Sequence, residues 1–385
     1  MKLLVFQGEL KRRGIMIFLA TLSASIIVLF SNLFISKTLG PKSFGDFRTM
    51  IYLFAFLPII ADLGINSTLT KYIAEFGKNS GKSKYIINRF LKIKFLSYLF
   101  LIVIIFLIKD YIAIYFLKDI SLNYLVIAGI ILLAFNFFLS FSFIILGFQN
   151  FKLFSLSQFL NSSSSALLAV LLSPFGIFYM ILGWGFGPLI SNLASVLFLI
   201  KQNVFTNYEK VDVKKIFLKF SLPVYPIDLT TYLFNAIIPF LSLFFLQKLI
   251  GYYSFVFMFY LATLLIPNSL SFVLFPKVSE LNGLKRYDHA KNILRKSFLY
   301  YSLVAIIGLS FVFLFSEWFI SAISKDYLPS LFMFKVIVSL GFIFGYVIIY
   351  NNYLKGLGKV KKYALFTLAQ NILMIIISFV LLNIM

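Results

Sequence analysis

The sequence of 385 residues contains no cysteine, a single histidine and no GxxxxGK[ST] nucleotide loop. The absence of cysteine excludes disulfides, thiolate metal sites and cysteine nucleophiles. His289 lies in a basic, polar stretch, where we expect a solvated side chain rather than a metal ligand or a catalytic base. Without a nucleotide loop or a serine–histidine pair, we expect neither an enzyme nor a bound metal or cofactor.

Charged residues are also scarce. They make up 12% of the chain, whereas an average soluble domain carries about 25%. Hydrophobic residues make up 61%, and phenylalanine alone occurs 50 times. The apolar runs are long enough to cross a bilayer as helices, and the short alternating segments of a membrane β-barrel are missing. The sequence therefore predicts an all-α, multi-pass membrane protein.

The apolar runs predict eleven crossings. They lie at about residues 14–37, 47–72, 90–108, 120–147, 153–173, 177–200, 217–246, 252–275, 297–320, 328–353 and 363–384. Most of the 35 lysines and arginines fall in the N-terminal tail and in alternate connections, including 71–94. The positive-inside rule then places the N-terminus in the cytoplasm and the protein in the cell (plasma or inner) membrane. The formal charge of +22 is thus explained by topology, and we expect no nucleic-acid partner.

Two stretches of the chain repeat at a similar offset. Phe44-Gly45 precedes Pro58 by the same distance as Tyr253-Ser254 precedes Pro267, at an offset of 209. Residues 151–158 resemble 363–370 at an offset of 212. Six crossings fit inside this offset, so the copies enter the membrane in the same direction and enclose a central cavity. We predict an N-terminal lobe of helices 1–6 at 1–205 and a C-terminal lobe of helices 7–11 at 206–385. The second lobe is then one helix short, because a partner for 177–200 would begin near residue 388.

The second predicted crossing contains an Asp-Leu-Gly triplet, Asp62 to Gly64, after Pro58. Such a break is expected to face a polar cavity, because a carboxylate is rarely turned toward lipid. Asp228 lies similarly within the seventh crossing, so both carboxylates are candidate functional groups. The alternative is that each aspartate caps a broken helix or pairs with a lysine or arginine.

Other polar and basic side chains recur within the crossings. The candidates for a substrate cavity are Asn32, Arg48, Asp62, Asn66, Asp228, Asn235, Asn268 and Lys335. The candidate hinges are Pro58, Gly64, Pro223, Pro226 and Pro267. Interhelical hydrogen bonds are the alternative for the amides, among which Asn136, Gln158 and Asn161 also occur. Arg48 and Lys335 either extend to the lipid headgroups or hold a diphosphate.

Four short motifs occur in order along the chain. They are Leu39-Gly40-Pro41 before Phe44-Gly45, Asp62-Leu63-Gly64, Ile250-Gly251-Tyr252-Tyr253-Ser254 and Pro276-Lys277-Val278-Ser279-Glu280. In this order they resemble the polysaccharide-transporter branch of the multidrug/oligosaccharidyl-lipid/polysaccharide flippase superfamily, which includes O-antigen repeat-unit flippases.

The resemblance implies a two-lobed helical bundle that works by alternating access. Such proteins move a polyprenyl-diphosphate-linked oligosaccharide, such as an O-antigen or surface polysaccharide repeat unit, from the cytoplasmic to the outer leaflet. The implied partners are the lipid-linked oligosaccharide and membrane lipids, with H⁺ or Na⁺ as the candidate coupling ion. Other polysaccharide-synthesis proteins are further candidate partners.

Three other functions remain open at this point. An ion-coupled multidrug exporter of the multidrug and toxin extrusion type would need a net acidic, apolar cavity for cations, whereas a flippase for a lipid diphosphate would need a basic one. A membrane polymerase or ligase would need a large outer loop with catalytic residues, and the predicted outer connections are short. A scaffold without transport activity would account for the short second lobe.

Overall fold

The structure, a computed structural model, is helical along the chain. It describes residues 2–77, 80–204, 206, 208–223, 225, 229, 237–268, 270, 271, 274, 278, 281, 285–357 and 359–385. Within these ranges there is no strand, which confirms the predicted all-α class. Three of the predicted site and hinge residues, Pro226, Asp228 and Asn235, lie outside the described residues.

The helices follow one another with short connections. The α-helices are α1 (Lys2–Asp62), α2 (Ile65–Phe76), α3 (Gly81–Leu107), α4 (Lys109–Ile112), α5 (Asn123–Asn136), α6 (Leu139–Gly147), α7 (Phe151–Leu171), α8 (Ile177–Lys201), α9 (Val213–Ile216), α10 (Ile237–Ser242), α11 (Gln247–Thr263), α12 (Tyr287–Ile323), α13 (Leu331–Gly356) and α14 (Val360–Ile384). Single π-helical turns follow α4 and α9, at Ala113–Leu117 and Phe217–Ser221.

Eight helical stretches in the described ranges are long and apolar enough to cross a membrane, so the multi-pass prediction is confirmed. The first of them, Leu19–Asp62, covers most of the first predicted crossing and the first part of the second, because α1 continues through the break at Gly40. The Leu39-Gly40-Pro41 motif lies at this break, where Gly40 has φ 67 and ψ 173. The predicted seventh crossing, 217–246, is only partly described, so the total of eleven stays a prediction.

Helix α3 begins at Gly81, well before the predicted start of this crossing at residue 90. Its first turns carry several basic residues, and hydropathy alone therefore assigns them to a loop. Ser80 caps the helix, since its hydroxyl accepts a hydrogen bond from the backbone N–H of Ser83 at 3.1 Å. This cap positions the charged start of α3 ahead of its apolar part.

Replacing Ser80 with alanine removes this cap. We expect the free energy of unfolding to fall by about 1 kcal/mol, whereas Ser80→Gly should cost only a few tenths of that. Equilibrium unfolding of the two variants in mixed micelles measures the difference. Equal stability of Ser80→Ala and the unmodified protein would show that the hydroxyl contributes nothing to the start of α3.

The chain forms two compact units. The first comprises Met1–Ile35 and Asp46–Gln247, and the second comprises Ser36–Gly45 and Lys248–Met385. These bounds differ from those of the predicted lobes, whose boundary between residues 205 and 206 stays a prediction. The parallel arrangement of the two lobes stays a prediction as well.

In the first unit, α2 packs between α3 and α6. A cluster of fully buried aliphatic and aromatic side chains joins the three helices, including Ile65, Leu69, Ile86, Phe90 and Ile144. Fully burying an apolar side chain stabilises a fold by roughly 1.5–3 kcal/mol in water. The cluster therefore fixes the position of α2, and with it the break between α1 and α2.

In the second unit, the segment around Gly40 packs onto α11. A Cβ atom on Gly251 would overlap the backbone carbonyl of Pro41, so only glycine lets the two backbones approach this closely. Tyr327 donates a hydrogen bond from its hydroxyl to the Ser36 carbonyl at 3.0 Å. Its ring also stacks on Phe255, with 4.2 Å between the ring centroids. These contacts assign the Ser36–Gly45 segment to the second unit.

Candidate functional site

A cavity of about 460 Å³ lies inside the first unit. Helices α1, α2, α3, α5, α6, α7 and α8 all contribute to its wall. The side chains with polar atoms that line it are Asp62, Asn66, Ser67, Lys94, Tyr98, Asn136, Ser142, Gln158, Asn161, Ser162, Ser165, Trp184 and Tyr225. Of the residues predicted from sequence, Pro58, Asp62 and Asn66 are in this wall. The wall of the cavity therefore contains many polar groups, and apolar side chains of the helical bundle form the rest of it.

Asp62 and Lys94 form an ion pair in the wall of the cavity. The distance between Lys94 Nζ and Asp62 Oδ1 is 2.6 Å, and the side chains of Lys94 and Asp62 are only 1% and 12% exposed. Lys94 also donates a hydrogen bond to Asn66 Oδ1 at 2.8 Å. The second carboxylate oxygen of Asp62 accepts a hydrogen bond from the Asn66 backbone N–H at 3.3 Å. Asp62 thus both pairs with a lysine and caps α2, which is the alternative to a functional role given in the sequence analysis. A functional role for Asp62 stays a prediction.

The backbone is broken directly after Asp62. Leu63 and Gly64 have φ of 52° and 73°, in the left-handed region, and this break interrupts the hydrogen bonding between α1 and α2. The Ser97 hydroxyl of α3 donates to the Ala61 carbonyl at 2.8 Å. The Ser221 hydroxyl donates to the Leu63 carbonyl, also at 2.8 Å. Two neighbouring segments thus satisfy carbonyls that the break leaves free, as expected for a broken helix in a membrane.

Gly64 lies against the π-helical turn at Phe217–Ser221. A Cβ atom at Gly64 would overlap the backbone carbonyl oxygen of Ser221. The predicted irregularity in this crossing is therefore present, and it is held in contact with the segment after α9. A role for Gly64 as a hinge stays a prediction, as do those of Pro58, Pro223 and Pro267.

Arg48 and Asn32 are close together but do not line the cavity. The Arg48 guanidinium donates hydrogen bonds to Asn32 Oδ1 at 3.1 Å and to the Tyr52 hydroxyl at 2.6 Å. Arg48 is 3% exposed, so its charge is buried in the first unit instead of reaching the headgroups. Asn268 is exposed and Lys335 is half-buried, and both belong to the second unit. None of these four residues is among the side chains that form the described wall of the cavity.

Sequence reasoning misses Lys94. Lys94 lies at the start of the predicted crossing 90–108 and is counted with the basic connection 71–94, whereas the structure buries it within α3. Its position could have been inferred from the apolar run that starts before it, and from the need of Asp62 for a positively charged partner. Asn136, Gln158, Asn161 and Trp184 are also not among the predicted cavity residues, although the three amides are noted above as polar residues within helices.

Asn161 lines the cavity and carries a buried acceptor. Its side-chain oxygen Oδ1 is buried and has no hydrogen-bond partner in the described parts of the chain. By contrast, the Asn136 amide donates a hydrogen bond to the Phe54 carbonyl at 3.2 Å, so part of its hydrogen-bonding capacity is used within the protein. A buried acceptor without a partner is costly to a fold and is expected to be used by something that enters the cavity.

A multi-pass helical bundle with a polar cavity between its apolar helices has the architecture of a membrane transporter. The sequence profile of the family described as Polysaccharide biosynthesis protein matches residues 10–282. The chain therefore belongs to this family. No curated protein sequence matches the chain.

Solved structures of transporters share the fold. An inward-facing multidrug resistance MATE family transporter of the MOP superfamily superposes with a TM-score of 0.72 at 12% identity, over 95% of this chain and 97% of the other. The lipid II flippase MurJ, in an inward closed conformation, gives 0.71 at 17% identity, over 94% and 79%. The MATE multidrug transporter DinF-BH, in a ligand complex, gives 0.62 at 15%, over 97% and 94%. At these identities the likeness concerns the fold.

Proposed function

We propose that the protein is a flippase for a polyprenyl-diphosphate-linked oligosaccharide. It moves the glycan from the cytoplasmic to the outer leaflet by alternating access, and its N-terminus is cytoplasmic. The family supports this proposal, because its members are described as polysaccharide biosynthesis proteins. The fold supports it as well, because the neighbouring structures include a lipid II flippase.

The observation that carries the proposal is the chemistry of the cavity. A glycan cannot cross hydrocarbon unaided, because each hydroxyl would lose its hydrogen bonds to water at a cost of several kcal/mol. The wall of the cavity offers amides and hydroxyls in place of water, including the free acceptor of Asn161. The volume of about 460 Å³ is within the range of small-molecule sites. The lipid tail would stay in the bilayer.

The multidrug exporter is the competing function, and the charge of the cavity argues against it. A cavity for cationic drugs needs a carboxylate that is free to pair with its substrate. Asp62 is instead bound to Lys94 at 2.6 Å. The coupling ion, H⁺ or Na⁺, stays a prediction.

A leaflet-accessibility experiment tests the proposal. Vesicles that contain a fluorescent lipid-linked oligosaccharide are prepared with and without the protein, and exposure of the glycan is followed with a membrane-impermeant reagent. Asn161→Leu is expected to slow exposure about fivefold, because one hydrogen bond to the glycan is worth about 1 kcal/mol. The melting temperature should not fall, because the substitution removes a buried acceptor that has no partner in the described residues.

Asn352→Leu provides the matched control. Asn352 is a half-buried asparagine on α13, outside the described cavity wall, and its amide donates to the Ile348 carbonyl at 2.9 Å. This variant should expose the glycan at the unmodified rate. If the protein exposes no glycan at all but moves a cationic dye across the same vesicles, the flippase proposal is wrong and the exporter is correct.

A further inference from the structure

We infer that the Lys94–Asp62 ion pair makes the cavity selective for glycan groups that carry no net charge. This inference rests on the proposed function and deepens it, since it names the class of sugar that the first unit accepts. It also assigns to the pair a role in specificity. The charges of the wall, their separation and their burial all support it.

The charges in the wall cancel. Among the described residues that line the cavity, Asp62 and Lys94 are the carboxylate and the ammonium group, and they are 2.6 Å apart. The remaining polar lining groups are neutral amides, hydroxyls and the Trp184 indole. The described part of the wall therefore offers hydrogen bonds in many directions but no free charge of either sign.

A neutral sugar leaves this arrangement intact. Its hydroxyls can form hydrogen bonds with the amides and hydroxyls of the wall, while Lys94 keeps Asp62 and Asn66. A sugar with one negative charge must draw Lys94 away from Asp62 or remain unpaired. A sugar with one positive charge must draw Asp62 away from Lys94 or remain unpaired. In each case one buried charge is left without a counter-ion, which is costly in a site of low dielectric constant.

The same reasoning separates the two ends of the substrate. A cavity of about 460 Å³ has room for roughly one or two sugar rings, and not for a polyprenyl chain. The diphosphate carries several negative charges, and the described wall offers it no unpaired cation. The glycan end therefore enters this cavity, and the diphosphate is held elsewhere.

Trp184 provides a direct measure of binding. The chain contains two tryptophans, and the second, Trp318, is 67% exposed on α12. Trp318→Phe therefore leaves Trp184, in the cavity wall, as the remaining indole. Fluorescence of the full-length protein in lipid nanodiscs then reports a ligand that enters the cavity. The probes are methyl glucoside, glucuronate and glucosamine, which share one ring and differ in charge in a mildly acidic buffer.

The Trp318→Phe protein should bind methyl glucoside at least about tenfold more tightly than glucuronate or glucosamine. Asp62→Asn in this background leaves Lys94 without its carboxylate, so the order should change in favour of glucuronate. The double variant Asp62→Asn/Lys94→Gln has no charge in the pair, so it should lose the preference for glucuronate and again bind methyl glucoside most tightly, because a charged sugar would find no counter-ion there. Asp110→Asn is the matched control, since Asp110 pairs with Lys109 at 3.3 Å on a surface connection, and it should keep the original order.

The inference is overturned if the unmodified pair binds glucuronate or glucosamine as tightly as methyl glucoside, or if Asp62→Asn keeps the original order of the three probes. Absence of any change in Trp184 fluorescence with all three probes also overturns it. These outcomes differ from failure of the proposed function. In that case the nanodisc selectivity would be observed while the vesicles show no protein-dependent exposure of the glycan.

Discussion

Replacing Lys94 with methionine is expected to destabilise the protein by about 3 kcal/mol. The substitution keeps the length and most of the volume of the side chain, so the effect is mainly one of charge. It leaves Asp62, which is 12% exposed, without the ammonium group at 2.6 Å. Removing one partner of a buried ion pair typically costs about 3–5 kcal/mol, because the remaining charge is desolvated and unpaired. Equilibrium unfolding in mixed micelles measures the loss.

The double variant Lys94→Met/Asp62→Asn should recover most of this loss. With both charges removed, no buried ion remains unpaired, and replacing a buried pair with neutral residues is often close to neutral in stability. We expect the double variant to lie within about 1 kcal/mol of the unmodified protein. The coupling energy from the full cycle should therefore be about 2 kcal/mol or more, as is found for residues in direct contact.

The pair Lys109–Asp110 provides the control for this cycle. Its atoms are 3.3 Å apart, and its side chains are 26% and 47% exposed, so water and salt screen the interaction. Exposed pairs contribute about 0.2–1 kcal/mol, and the cycle Lys109→Met with Asp110→Asn should give a coupling in that range. Equal coupling energies for the two pairs would contradict our account of Asp62 and Lys94 as a buried, desolvated pair.

The Asp62–Lys94 pair shows what the sequence could predict about the site. Asp62 is recognisable because a carboxylate in a long apolar run is unusual, and its environment follows from that alone. Lys94 is not recognisable as a cavity residue, because a lysine near the end of an apolar run is expected in a basic loop or at the lipid headgroups. Only the packing of α2 on α3 determines that its ammonium group turns inward to Asp62.

The fold is predictable more completely than the site. Long apolar runs determine helices in a membrane, because every backbone group must be hydrogen-bonded within the protein. The all-α class, the family and the breaks at Gly40 and Asp62–Gly64 therefore follow from the residues themselves. The start of α3 at Gly81 could not be predicted from the sequence, since hydropathy does not distinguish a charged helical turn from a loop.

The polar wall of the cavity could not be predicted for a further reason. Gln158 and Asn161 of α7 and Trp184 of α8 meet in the cavity because these two helices pack closely. A Cβ atom on Gly187 would overlap Ser165 Oγ, and one on Gly183 would be 2.7 Å from the Leu168 carbonyl oxygen. Close approach at small residues is common between membrane helices, but the sequence does not show which polar side chains this approach turns inward.

Replacing Gly64 with alanine is expected to destabilise the protein by about 3 kcal/mol. A residue with a Cβ atom in the left-handed region costs about 1–2 kcal/mol. The new methyl group would also overlap the Ser221 carbonyl oxygen, and overpacking of this kind typically costs about 1–3 kcal/mol. The neighbouring contact must shift, and it includes the hydrogen bond from the Ser221 hydroxyl to the Leu63 carbonyl. Glycan exposure in vesicles should fall as well, since Asp62 is two residues from the substituted position.

Gly77→Ala separates the two contributions. Gly77 follows the other end of α2 and also has a positive φ, of 85°, with ψ of 142°, but none of the described residues lies within 4 Å of the position of its Cβ atom. Its substitution should therefore cost only the backbone strain, about 1–3 kcal/mol, and should leave glycan exposure close to the unmodified rate. If both variants lose the same stability and both still expose the glycan normally, the contact between Gly64 and Ser221 has no part in holding the break. The larger loss in Gly64→Ala, together with slower transport, would show that the Phe217–Ser221 turn fixes the position of Asp62 in the cavity.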